Sequence, residues 1–196
     1  MSGQPTEGGS APPQQQVGLV VTGLLGAMAV ATFVWAQQGP GFEWDPKAAA
    51  WIKSSVPGLK TLSLGVSWPV VRTWPFAGMV MATVLGLCAS RHPRAAVELL
   101  GAVCGGMLMY SLLSALPVEL GPSRETLYYG TFLGGLSLSL QKDLKPSTSA
   151  LLWGLAGALA VLPGLAMVST GDLPSAWLVS MLLVATWLAA LHQMME

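Results

Sequence analysis

Apolar positions run in six long stretches, residues 17–37, 74–90, 95–116, 127–140, 149–168 and 174–191, with polar positions gathered between them. Inside the stretches apolar residues are continuous, and Leu, Ala, Gly and Met dominate. That pattern predicts helices and excludes a transmembrane β-barrel, whose strands would alternate. A bilayer core about 30 Å thick needs roughly 20 apolar helical residues, so each stretch is expected to cross a membrane. The fourth is short, but a helix N-terminus tolerates a carboxylate, so it extends back through Thr126 and Glu125. The expected fold is an all-α integral membrane protein of six transmembrane helices in one domain, 17–196, behind a polar tail, 1–16.

Composition agrees. Charged residues make up 9% of the chain, mean hydropathy is +0.59, and 53% of residues are hydrophobic. A soluble domain carries about 25% charged residues. Of the charges only Glu98 falls inside a stretch, one turn after Arg94, where the pair is expected to form an interfacial i, i+4 ion pair. Formal net charge is zero and no basic run exists, which argues against nucleic acid as a partner. The tail is rich in Gly, Pro, Gln and Ser and should be disordered in isolation. It lacks the basic n-region of a secretory signal.

Loop charges orient the bundle. Arg91 and Arg94 lie in the second loop, and Lys142 and Lys145 in the fourth; the third has only Arg124 and the fifth has none. Lys47, Lys53 and Lys60 break the pattern, but their loop is long. Both termini are therefore expected on the cytoplasmic side of a bacterial inner membrane, or on the equivalent side of an organellar one. The long loop contains an interfacial segment, 42–60. Asp45 followed by Pro46 reads as an N-cap with proline at the first helical position. Trp44, Ala48, Trp51, Ile52 and Ser55 share one face, and Pro57-Gly58 ends the helix. The expectation is an amphipathic helix lying in the interface, with Trp44, Trp51, Trp68 and Trp74 as anchors in an aromatic belt.

Small residues predict tight helix packing, within the chain or with neighbours. Gly101 with Gly105, and Gly130 with Gly134, form GxxxG pairs; Gly154 and Gly157 leave another flat patch. Candidate chemistry is sparse. Cys88 and Cys104 fall inside spans and are expected to be small buried apolar side chains, not metal ligands or a disulfide. His92 sits in a tight basic loop and His192 at the end of the last span, without the paired spacing of a bis-His haem. No cofactor is expected, although His192 stays open as a single ligand for a pigment or metal. Spans almost free of ionisable groups give little support to a carboxylate relay for ions. The outer polar residues Glu119, Ser123, Arg124, Glu125 and Asp172 read as solvated loop groups.

The order of these elements resembles a known layout. Gly121-Pro122-Ser123-Arg124-Glu125 resembles the Pro-Ser-Gly-His motif of the type-2 phosphatidic acid phosphatase superfamily. Thr170-Gly171-Asp172-Leu173-Pro174-Ser175-Ala176 resembles its final His and Pro-Ser-Asp motif, and 42–64 is similar to the segment before its second span. The resemblance covers about 42–191, in layout more than in identity, and implies a six-helix phosphatase-like fold. The family's nucleophilic histidine then falls on Asp172, its orienting aspartate on Ala176, its acid histidine on Glu125 and its phosphate-holding arginine on Ala166. Residues 104–120 contain neither Lys nor Arg for the first motif. Phosphoryl transfer of this kind needs a histidine nucleophile, a proton donor and a cationic cradle, so the resemblance implies a pseudoenzyme in which Ser123, Arg124, Glu125 and Asp172 are vestigial motif positions.

The function expected is thus non-catalytic: a structural or accessory subunit of a larger membrane complex, with the bilayer and other membrane subunits as partners. A small transporter or lipid-handling protein is the alternative, and a lipid phosphatase with atypical residues a third.

Overall fold

The computed structural model describes residues 13–36, 42–55, 58, 61, 72–116, 122–170 and 173–195. They form seven helices: α1 (Pro13–Ala36), α2 (Asp45–Ser55), α3 (Thr73–Ala89), α4 (Pro93–Ser114), α5 (Arg124–Leu140), α6 (Pro146–Thr170) and α7 (Pro174–Met195). No strand occurs among the described residues. Six of the helices are the six apolar stretches and the seventh, α2, lies in the first loop. The tail 1–12, Trp68, Glu119 and Asp172 lie outside the described residues.

Among the described residues four helices are long and apolar enough to cross a bilayer: Val17–Val34, Pro93–Ser114, Pro146–Leu165 and Pro174–Met195. This is fewer than the six expected. The shortfall is in α3 and α5, each of 17 residues and so about 25 Å long. For α5 the packing explains the brevity. It packs against α4, α6 and α7, and thirteen of its residues are buried. Protein surrounds it where lipid would surround an outer helix, so its sequence need not be uniformly apolar. Buried hydroxyls on α5 fold back onto their own helix: Thr131 donates to the Leu127 carbonyl at 2.7 Å and Ser139 to that of Gly135 at 2.7 Å. Such bonds satisfy the polar group without a neighbour. The backward extension to Glu125 holds, and the helix starts at Arg124.

Close approaches bring the bundle together. On α7 the stripe Val184, Trp187, Leu188, Leu191 fills the faces left open by Gly130, Gly105, Gly134 and Gly101 respectively. Because Gly105 has no Cβ, the Trp187 indole lies against α4 and its Nε1 donates to the Ala102 carbonyl at 3.0 Å. Gly106 meets Thr131, and Gly135 meets Ala102, at the α4–α5 contact. Phe76 of α3 is fully buried, stacked on Tyr128 at 5.0 Å and edge-on to Phe132 at 6.1 Å. Without a hydrophobic drive between helices in lipid, these van der Waals contacts supply the cohesion. Gly154 and Gly157, by contrast, meet nothing among the described residues.

α1 is peripheral. It runs antiparallel along α7, with Gly26 beside Thr186 and Gly18 beside Gln193, and the Gln193 amide donates to Thr22 at 2.7 Å. Residue 18 and residue 193 therefore share one end of the bundle, labelled the inner end after the orientation expected from the loop charges. The start of α5, the start of α7 and α2 share the other.

Two local expectations are corrected. On α2 the buried face is Asp45 and Ile52, with Ala49 beside them, and Ile52 packs against Val168 and Leu165 of α6. Trp51 is 69% exposed and Ser55 is exposed, so the face facing the bundle is turned away from Trp44, Trp51 and Ser55. Packing against α6 and α7 sets this rotation and leaves Trp44 and Trp51 on the outer surface. Cys88 and Cys104 are exposed, not buried. They sit on the outward faces of α3 and α4.

Candidate functional site

Chemistry-bearing side chains concentrate at the two ends. At the outer end, Ser123 caps α5, accepting from the Thr126 N–H at 3.4 Å and the Thr126 hydroxyl at 3.1 Å. Its own N–H donates to Ser180 Oγ at 2.7 Å, tying α5 to α7. Glu125 is buried in the first turn, where the positive end of the helix dipole favours a carboxylate. The Ser123 hydroxyl lies 3.5 Å from its Oε2. The Arg124 guanidinium stands 5.4 Å from the centre of the Tyr128 ring. Ser123 and Glu125 are thus buried capping groups, which corrects the expectation of solvated loop residues.

Asp45 lies beside this cluster and is also fully buried. Its Oδ1 accepts from the Ser175 N–H at 3.0 Å and its Oδ2 from the Ser175 hydroxyl at 2.7 Å. The Phe42 N–H completes the shell at 3.0 Å. Asp45 therefore caps α7, a helix 130 residues further along the chain, and not its own helix as expected. The layout does bring the Pro122-Ser123 and Pro174-Ser175 segments to one end of the bundle. Their hydroxyls and carboxylates are turned onto one another and onto helix termini, and as arranged they join α2, α5 and α7.

The inner end holds a cavity of about 250 Å³ between the start of α4 and the last turns of α5 and α7. Arg91, Arg94, Lys142, Glu98, Asp143, His92 and His192 all line it. The two histidines, read from the sequence as unrelated helix-end residues, share this wall. Arg94 bonds Glu98 at 3.0 Å, as its i, i+4 spacing implied, and also donates to the Met195 carbonyl at 2.8 Å, closing the end of α7. His92 Nδ1 lies 3.4 Å from Asp143, joining the second and fourth loops. No group of three or more His, Cys, Asp or Glu side chains that could hold a metal occurs among the described residues.

Arg91 has φ 64°. It occupies the left-handed position after α3, with the Arg91 N–H on the Cys88 carbonyl at 3.1 Å and the His92 N–H on the Leu87 carbonyl at 2.8 Å. This is the Schellman arrangement, in which glycine is the usual residue. A side chain there costs about 1–2 kcal/mol. Arg91→Gly is expected to stabilise the folded chain by about 1 kcal/mol, read as a rise in the midpoint of unfolding in mixed micelles. An unchanged or lower midpoint counts against strain at this turn.

Compared with family models, with curated proteins and with solved structures, the chain matches none.

Proposed function

We propose that the chain is a non-catalytic six-span membrane protein that serves as a structural or accessory subunit of a larger membrane assembly, with a phosphatase-like layout and none of that family's chemistry. In this reading α3 and α5 cross with the four longer helices, and the inner end faces the cytoplasm or its organellar equivalent. The placement of Arg91, Arg94, Lys142 and Lys145 supports that orientation.

One observation carries the reading. The glycines of α4 and α5 are filled by side chains of this chain, while Gly78, Gly86, Gly154 and Gly157 have nothing among the described residues within 4 Å of an added Cβ. On α3 the Gly78, Ala82 and Gly86 spacing makes a flat exposed strip, and Ala150, Gly154 and Ala158 make another on α6. Flat strips let a second helix approach closely in lipid. The centre of the bundle, by contrast, is filled by Thr131, Val184, Trp187 and the Phe76–Tyr128–Phe132 rings, which favours a packed subunit over a transporter.

The test is extraction in mild detergent followed by native mass spectrometry. A stoichiometric assembly is expected, and Gly86→Leu with Gly154→Leu should abolish it while leaving the unfolding midpoint of the isolated chain within about 0.5 kcal/mol. A chain that leaves the membrane as a lone monomer overturns the proposal.

A further inference from the structure

We infer that the inner-end cavity binds a phosphate-bearing anion, held by the Arg91 guanidinium and the Lys142 ammonium. The inference stands independently of the subunit reading. Three basic side chains and two carboxylates line the cavity, together with both histidines. Glu98 is paired with Arg94, and Asp143 has the His92 imidazole 3.4 Å away, an ion pair when that ring is protonated. Arg94 is engaged twice, through Glu98 and the Met195 carbonyl. That leaves Arg91 and Lys142, whose side chains have neither an ion pair nor a hydrogen bond among the described residues.

A competing role for these cations is to neutralise the carbonyl ends of α3 and α5, which carry partial negative charge. Arg94 shows what that role looks like, a direct bond to a terminal carbonyl. Arg91 and Lys142 make no such contact; they line the cavity instead. Arg91 also holds a position where glycine is less strained, and an observed strain of this kind points to a use for the side chain. Depth fixes the chemistry. α7 has 22 residues and is about 33 Å long, so its last turn reaches the headgroup level of a bilayer core about 30 Å thick. A planar guanidinium fork and a compact ammonium together suit a tetrahedral oxyanion with several acceptor oxygens. At this level that anion is a lipid headgroup phosphate or free phosphate.

The full chain in neutral detergent is titrated with phosphatidylglycerol, and bound lipids are counted by native mass spectrometry; inorganic phosphate is titrated separately and as a competitor. One lipid is expected to bind more tightly than the rest. Arg91→Gly, which relieves the turn and so does not threaten folding, should weaken that lipid about fivefold, and adding Lys142→Gln should weaken it about fivefold again. Lys47→Gln with Lys53→Gln, at the opposite end, should leave it unchanged. Competition by phosphate identifies the free anion as ligand, and variant-sensitive lipid binding without competition identifies the headgroup. Equal binding of both probes by the parent chain, Arg91→Gly and the double variant overturns the inference.

Discussion

Asp45→Ala is expected to destabilise the folded chain by about 3 kcal/mol and to free α2 from the bundle. The carboxylate is fully buried and accepts three hydrogen bonds, from the Ser175 N–H, the Ser175 hydroxyl and the Phe42 N–H. Alanine removes all three acceptor contacts at once and strands two backbone donors. A lost helix cap costs about 0.5–2 kcal/mol, and a buried donor without a partner about 1–3 kcal/mol; the Ser175 hydroxyl can turn to another acceptor, which limits the total. Asp45→Asn keeps one oxygen acceptor and should show roughly half the loss. The measurements are the unfolding midpoint in mixed micelles and protease cleavage within 42–55. If Asp45→Ala leaves both unchanged, the cap on α7 contributes nothing and α2 is held by Ile52 alone.

Gly135→Ala should be nearly as damaging, for a steric reason. A Cβ at Gly135 would lie 2.5 Å from the Ala102 Cβ. That atom is fixed to the α4 backbone, so the two helices must separate and lose contact along their length. Overpacking of this kind costs about 1–3 kcal/mol, and the upper half of that range is expected because α5 is enclosed by three helices. Gly134→Ala provides the contrast. Its new methyl meets mainly Leu188 Cδ1, a rotatable branch end, so the cost should stay near 1 kcal/mol. Combining Gly135→Ala with Ala102→Gly returns the missing space and should recover at least half the loss. Equal effects of the two single variants, or no recovery, would show that the α4–α5 contact yields more readily than its geometry implies.

The sequence made the apolar helices and the shared end of α1 and α7 legible because lipid imposes one demand on every outward residue. It made the α2 helix legible through Asp45 and Pro46, which are local. What it hid depends on contacts distant along the chain. The GxxxG spacing drew attention to Gly130 and Gly134, yet Gly106 and Gly135, which lack that spacing with each other, make the close approach of α4 to α5. Spacing reports which residues share a face; it is silent on which of them a neighbour touches. Glu125 reads as a solvated loop charge because its burial depends on how the start of α5 packs into the bundle, which the local sequence does not show. Periodicity puts Ile52 on one face with Trp44 and Trp51, and only the contact with α6 decides that Ile52 turns inward while the tryptophans stay outside. His92 and His192 looked unrelated because one hundred residues separate them, and only the antiparallel course of α4 and α7 puts them on one wall.

The bond from Asp45 to Ser175 also sets an order of events. At about 5–20 residues per second, the 130 residues between them take on the order of ten seconds to synthesise. During that interval α2 has emerged with its carboxylate unpaired, and it must stay in water. α1 waits similarly for Gln193, and the glycine faces of α4 and α5 wait for Val184, Trp187 and Leu188. α7 packs against α1, α2, α4, α5 and α6, so a chain stalled before α7 is a nascent chain without a finished bundle.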